Sequence, residues 1–81
     1  MSNEKRSEPL KLFSPMGRRV QDLRKAKGWS QEKLAEVSDL TRYTIMHVEH
    51  GHHTPRPVTV ALLAAALGVD PYYLVTGVST P

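Results

Sequence analysis

The stretch from Ser30 to Gly51, SQEKLAEVSDLTRYTIMHVEHG, contains the local signals that determine the fold. It begins at Ser30, whose hydroxyl can accept a hydrogen bond from an unpaired backbone N–H in the first turn of a helix. Leu34 and Val37 follow three residues apart, which places them on one helical face. We therefore predict a short helix that begins after Ser30 and turns these two side chains inward.

The second half of the stretch predicts another short helix after a tight turn. Asp39 lies in the turn, and Asp adopts the left-handed backbone conformation more readily than most residues other than glycine. Thr41 can cap the new helix, in which Ile45 and Val48 are again three residues apart and face inward. Gly51 then ends the helix, because glycine accepts the left-handed conformation at a helix C-terminus.

Two short helices joined by a turn of three or four residues form the helix-turn-helix arrangement, whose second helix lies in the major groove of DNA. With Ile45 and Val48 turned inward, the outward face of the second helix carries side chains that can reach a duplex. These are Arg42, Tyr43, Met46, His47 and His50. The spacing therefore predicts a DNA-binding surface on this helix.

Three further helices are predicted, which gives an all-α fold of five helices. The first opens at Pro15, the fourth at Pro57 and the fifth at Pro71, since proline is favoured in the first turn of a helix. Ser14 and Asp70 precede two of these prolines as candidate caps. No repeat and no strand pattern is visible, so the fold class predicted is a compact all-α domain.

The polar and apolar segments divide the chain into three parts. Residues 1–13 are largely polar and charged, which predicts a flexible N-terminal arm. Residues 14–77 hold all five helices and form the domain. Residues 78–81 are expected to be a frayed C-terminal tail.

The composition is that of one small domain with no disulfide and no membrane span. The chain has 81 residues, a formal net charge of +3 and no cysteine, so neither a disulfide nor a thiolate zinc site can form. The longest apolar run, Val60–Leu67, is far shorter than the ~20 residues that a membrane span needs. The N-terminus has no secretory signal pattern, so we expect a cytoplasmic protein of a bacterium, or of a host that carries a phage or plasmid.

Several of these motifs resemble the phage-repressor helix-turn-helix family, also called Cro-like or XRE. The resemblance runs from Met16 to Gly77 and rests on LRKAKG at the end of the first helix, SQEKLA at the second and IMHVEHG at the third. It implies a five-helix lambda-repressor-like domain that binds DNA. Two positions depart from the family pattern: Asp39 stands where glycine is usual, and Trp29 stands where Leu or Ile is usual.

Four side chains are the main candidates for DNA contact, and their positions match those that the family uses. Arg42 can donate two hydrogen bonds to guanine O6 and N7. Tyr43 can touch a thymine methyl group or donate its hydroxyl, and His47 lies one turn further on. Gln31, at the start of the first motif helix, can offer its amide and its backbone N–H to a phosphate.

Further candidates for DNA contact are Thr44, Met46, His50, His53 and, on the first helix, Arg19. Arg19 belongs to a cluster of cations on and after that helix that suits phosphate contact. A plain solvated helix face is the alternative interpretation of such a cluster.

Glu49 and the histidines invite other interpretations. The resemblance implies that Glu49 is a structural carboxylate bonded to backbone or to an arginine. His47 and His50 have a spacing that metal ligands can have, but no cysteine accompanies them, so no metal and no other cofactor is predicted. No glycine-rich phosphate loop or catalytic arrangement is visible, and we expect a protein that is not an enzyme.

A single helix-turn-helix touches about half of a two-fold site, so we expect a homodimer. The predicted dimer surface is the fifth helix and its continuation, with Tyr72, Tyr73, Val75 and Val78. The leading hypothesis is a transcriptional regulator that acts as a repressor. The alternative is an antitoxin that binds both operator DNA and a toxin protein, and a module that binds only proteins is a third class.

Overall fold

The computed structural model describes residues 15–51 and 55–79. Five helices and no strand occur in these two segments, which confirms the predicted all-α fold. They are α1 (residues 15–26), α2 (Gln31–Ser38), α3 (Arg42–His50), α4 (Pro57–Leu67) and α5 (Pro71–Thr76). The predicted arm over residues 1–13 and the candidate cap Ser14 lie outside the described residues. None of the helices in the described segments is long and apolar enough to span a bilayer.

Three predicted caps are confirmed at helix N-termini. The Ser30 hydroxyl accepts a hydrogen bond from the Lys33 backbone N–H at 3.0 Å, and the Thr41 hydroxyl accepts one from Thr44 at 3.1 Å. At α5, the Asp70 carboxylate accepts a hydrogen bond from the Tyr72 N–H at 3.0 Å. Each cap satisfies one of the backbone donors that the first turn of a helix leaves unpaired.

The turn between α2 and α3 contains a strained residue. Asp39 has φ 62° and ψ 33°, and it is the only described residue other than glycine with a positive φ. Its backbone N–H closes the C-terminus of α2 by donating to the carbonyls of Ala35 and Glu36. The left-handed conformation predicted for this position is therefore confirmed.

Replacing Asp39 by glycine should raise the free energy of unfolding by about 0.5–1 kcal/mol. Glycine adopts the left-handed conformation without a steric cost, although its freer unfolded chain offsets part of the gain. Asp39→Asn is the matched control, because it removes the charge at the C-terminus of α2 and keeps the strain. Urea denaturation of the three proteins measures both effects. A lower midpoint for Asp39→Gly would contradict the strain at this turn.

The core lies between α1, α2, α3 and α4 and is closed by α5. Its buried apolar residues are Met16, Val20, Leu34, Ala35, Ile45, Val48, Leu63, Ala64, Leu67 and Leu74. Trp29 and Leu40, in the two loops that flank α2, pack against this core and are partly buried. The inward face predicted for α3, with Ile45 and Val48, is thus confirmed.

The inward face of α2 differs from the prediction at one position. Val37 is 43% exposed, whereas Ser38 is 2% exposed. The buried side of this helix follows a spacing of four residues from Leu34, not three, and this brings Ser38 to the core. The burial of its hydroxyl is tolerated because Ser38 donates a hydrogen bond to the Leu34 carbonyl at 2.7 Å.

The backbones of α1 and α3 touch at Gly17. A Cβ atom at this position would lie 2.3 Å from the carbonyl oxygen of Val48 and 2.9 Å from that of Glu49. Because real Cβ atoms do not approach oxygen so closely, only glycine fits there. This contact fixes the distance between α1 and the helix that carries the predicted DNA-binding face.

Candidate nucleic-acid interface

The two sides of α3 have opposite environments. Ile45 and Val48 are buried in the core, and the candidate DNA contacts occupy the other side. Arg42, Tyr43 and His50 are exposed, while Thr44, Met46 and His47 are half-buried. The structure therefore brings these six predicted residues together on a single helical surface.

The exposed end of this surface is held by local contacts. The hydroxyl oxygens of Thr41 and Thr44 are 3.0 Å apart, so Thr44 belongs to the cap of α3. The rings of Tyr43 and His47 lie one helical turn apart, with centroids separated by 4.2 Å and planes inclined by 56°. Tilted ring contacts of this kind are favourable. They limit the freedom of the Tyr43 side chain, which is 66% exposed.

A buried ion pair holds α3 against α1. Arg24 donates from Nε to one Glu49 carboxylate oxygen at 2.6 Å and from Nη2 to the other at 3.0 Å. The two side chains are 9% and 1% exposed. Arg24 also donates to the Trp29 carbonyl at 2.8 Å, which ties the loop before α2 to the same pair. The structural role expected of Glu49 is confirmed.

Gln31 completes this network at the first turn of α2. Its amide nitrogen donates to Glu49 Oε1 at 3.1 Å, so a single carboxylate connects side chains from α1 and α2 to α3. Gln31 is half-buried at the junction of α2 and α3. The partnership with Glu49 was not predicted, because the sequence gives no signal for a contact across 18 positions.

A groove of about 500 Å³ lies beside α3, at the N-terminus of α4. Its lining residues are Tyr43, Thr44, His47, Val48, Pro55, Arg56 and Thr59. Arg56 is exposed and immediately precedes α4, yet it was absent from the predicted site residues. A cation directly before the proline that opens a helix was the available signal. Because it lines the same groove as Tyr43 and His47, Arg56 is a further candidate for phosphate contact.

Two predicted DNA contacts within the described residues lie outside the α3 surface: Gln31 on α2 and Arg19 on α1. Arg19 donates instead to backbone carbonyls of α5, at Leu74 and Val75. His53 lies outside the described residues. Within the described ranges, no group of three or more His, Cys, Asp or Glu side chains is arranged to hold a metal ion.

Three of the predicted dimer residues, Tyr72, Tyr73 and Val75, lie on α5, and Val78 follows its C-terminus. Tyr72, Val75 and Val78 are 53%, 48% and 53% exposed, and Tyr73 is half-buried. Leu74 is fully buried and attaches this short helix to the core. Three large apolar or aromatic side chains on and just after α5 are thus open to solvent in the isolated chain.

The family to which the chain belongs follows from a match to a known family. Residues 20–74 match the family described as Helix-turn-helix, which is more than half of the chain. The chain belongs to the helix-turn-helix family. This membership confirms the resemblance to Cro-like, XRE proteins that the sequence motifs show. The matched region of this helix-turn-helix protein includes the buried ion pair and the whole α3 surface.

Two curated proteins are similar to this chain in sequence. It is 40% identical over 61 residues to the HTH-type transcriptional regulator RghRB of Bacillus subtilis (strain 168), a match that covers 74% of this chain and 43% of the relative. It is 37% identical over 51 residues to the competence pilus inhibition repressor of Acinetobacter baylyi (strain ATCC 33305 / BD413 / ADP1), covering 63% of this chain and 46% of the relative. The chain therefore spans less than half the length of these curated relatives.

A solved structure of similar size also matches. The restriction-modification controller protein C.AhdI of Aeromonas hydrophila aligns with a TM-score of 0.72 and 40% sequence identity. The alignment covers 76% of this helix-turn-helix protein and 94% of the controller protein. The aligned part of this chain is thus similar in fold to nearly the whole of the solved chain of that controller protein.

Proposed function

We propose that the protein is a sequence-specific DNA-binding transcriptional regulator that acts as a repressor and reads the major groove with α3. The observation that carries this proposal is the α3 surface itself. Six polar, aromatic or sulfur-containing side chains lie together on one side of the helix, and its other side is fixed by Ile45, Val48 and the buried Glu49 carboxylate. The names of the three relatives, a regulator, a repressor and a controller protein, support the same function.

Each part of the surface has a distinct role in this proposal. Arg42, the first residue of α3, donates two hydrogen bonds to a guanine edge. The paired rings of Tyr43 and His47 contact the neighbouring base edges, including a thymine methyl group. Gln31, at the start of α2, and Arg56, directly before α4, bind phosphates and set the register of α3 in the groove. Binding alone, without a catalysed reaction, accounts for the function.

The protein binds as a homodimer that pairs through α5. Exposed aromatic and apolar residues are enriched at the centre of interfaces, and Tyr72, Val75 and Val78 form such a group. Two copies related by a two-fold axis place their α3 helices in successive major grooves, about 34–36 Å apart. We place this activity in the cytoplasm, where the DNA is accessible.

Selection from random duplex DNA, followed by sequencing, tests the proposal. We expect a two-fold symmetric site whose half-site centres lie about one helical turn apart. Binding that is weak, salt-sensitive and independent of sequence would contradict it. None of the three relatives above is named as an antitoxin. A pull-down that recovers a toxin together with operator DNA would nevertheless replace the repressor by that alternative.

Replacing Arg42 by alanine should weaken binding to the selected site by about tenfold to a hundredfold, since a bidentate contact to guanine contributes ~1–3 kcal/mol of discrimination. The loss should be concentrated at one base pair in each half-site. Arg18→Ala is the matched control, because it removes the same charge from an exposed position on α1. Selection with the three proteins in parallel measures both effects. An unchanged site for Arg42→Ala would contradict the role of this arginine.

A further inference from the structure

A side chain from α1 binds the C-terminal carbonyl groups of α5. Arg19 donates from Nε to the Leu74 carbonyl at 2.9 Å and from Nη2 to the Val75 carbonyl at 2.7 Å. These carbonyls belong to the last turn of α5, where the helix itself supplies no partner. The guanidinium also places a positive charge at the negative end of the helix. α1 and α5 are thereby connected across 55 positions of sequence.

The chain leaves α5 in close contact with the same guanidinium. A Cβ atom at Gly77 would lie 2.7 Å from Nη1 of Arg19 and 3.2 Å from its Cζ. Gly77 has φ 77° and closes α5 by donating its N–H to the Tyr73 carbonyl at 2.7 Å. Three groups at the end of α5 therefore adjoin Arg19: two carbonyl oxygens and a glycine without a side chain.

α5 depends on such external support. It has six residues, far fewer than an isolated helix needs in water. Leu74 is its one fully buried side chain, whereas Tyr72 and Val75 point to solvent. Beyond Leu74, the C-terminal end of the helix carries no buried side chain, because Val75, Thr76 and Gly77 are exposed. The two hydrogen bonds from Arg19 act at that C-terminus.

We propose that Arg19 is a positioning residue for the pairing of two copies of this chain. It holds α5 in the orientation that presents Tyr72, Val75 and Val78, and it thereby raises DNA affinity without contacting DNA. This inference rests on the proposed function, in which pairing through α5 places two α3 helices on one duplex. Each copy contributes one α5 to the dimer. The free energy needed to order α5 therefore counts twice in the dimer dissociation constant.

Arg19→Gln tests the inference, with Arg18→Gln as the matched control. Arg18 is the neighbouring residue, its side chain is 75% exposed, and it faces Asp22 at 3.7 Å. We expect sedimentation equilibrium to show a dimer dissociation constant raised about tenfold or more by Arg19→Gln and little changed by Arg18→Gln. Arg19→Lys, which keeps the charge and one donor position, should recover part of the loss. Circular dichroism checks that each variant is folded.

A tandem chain, in which two copies are joined covalently, distinguishes a positioning role of Arg19 from a direct contact of Arg19 with phosphate. When a Gly/Ser-rich linker joins two copies, their effective concentration is on the order of millimolar, and weak pairing is compensated. We expect Arg19→Gln in the tandem chain to bind the selected duplex as the unmodified tandem chain does, with the same dependence of affinity on salt. A phosphate contact would instead be lost in both formats and would reduce the salt slope by about 0.9 for each phosphate.

Gly77→Ala perturbs the same contact from the side of α5. If both substitutions act through one contact, Gly77→Ala should weaken pairing less in the Arg19→Gln background than in the parent protein. Equal dimer constants for the parent and Arg19→Gln would overturn the inference and leave the proposed function intact. A parent protein that remains monomeric on its selected duplex would overturn the dimer part of the proposed function, and the inference with it.

Discussion

Replacing Glu49 by alanine should lower the free energy of unfolding by about 3–5 kcal/mol, because it leaves a buried arginine without its counter-charge. Arg24 is 8% exposed, and two of its donors bind the Glu49 carboxylate at 2.6 and 3.0 Å. The Gln31 amide loses its acceptor in the same step. A loss of this size approaches the whole stability of a small domain. Urea denaturation followed by circular dichroism measures it.

Two further variants test why the loss of Glu49 is costly. One removes an exposed carboxylate, and the other removes both charges of the Arg24–Glu49 pair. Glu36→Ala removes an exposed carboxylate, 3.7 Å from Lys33, and should change stability by less than about 0.5 kcal/mol. The double variant Arg24→Met with Glu49→Leu removes both charges and should regain most of the stability that Glu49→Ala loses. A cost for Glu49→Ala as small as that for Glu36→Ala would contradict the structural role of the pair.

Gly17→Ala should destabilise the protein by about 1–3 kcal/mol or more, as overpacking of a close contact does. The sign of the change in the free energy of unfolding is informative. In an open helix, alanine in place of glycine stabilises by about 1 kcal/mol. The new Cβ would meet the Val48 carbonyl oxygen at 2.3 Å, and a backbone oxygen cannot move aside as a flexible side chain can. α1 and α3 must then separate, so DNA affinity should fall together with stability.

Gly28→Ala is the control for this substitution. Gly28 has φ 72° and no neighbouring atom within 4 Å of an added Cβ, so its substitution tests backbone strain without a clash. We expect a cost of about 1–2 kcal/mol, the price of the left-handed conformation for a residue with a side chain. Thermal unfolding of the two variants gives the comparison. A stabilised Gly17→Ala variant would show that α1 and α3 do not touch there.

The sequence predicts those features of the fold that depend on neighbouring residues. Ser30, Thr41 and Asp70 cap helices because each side chain meets a backbone donor two or three positions away. The left-handed turn at Asp39 is likewise a property of a short segment. The exposed surface of α3 follows from the positions of Ile45 and Val48, since a helix that buries one side leaves the other to solvent.

Features that depend on packing between distant segments were not predictable. Val37 was predicted to face inward, but Ser38 is buried in its place. Spacings of three and four residues are equally compatible with a helical face, and packing against the neighbouring helix decides between them. The contact of Gly17 with α3 and that of Arg19 with α5 join residues far apart in sequence. Arg19 was therefore assigned to DNA from its charge alone, although the structure places its guanidinium on the end of α5.

The most direct test of base reading by α3 removes a single hydrogen-bond acceptor from the major groove. Replacing each purine of the selected duplex by its 7-deaza analogue deletes the N7 acceptor and leaves Watson–Crick pairing intact. We predict that one such replacement in each half-site lowers the affinity of the parent protein by about three- to thirtyfold, and that the same replacement has no effect on Arg42→Ala. Affinity that is unchanged at every purine N7 would contradict major-groove reading by Arg42 and α3.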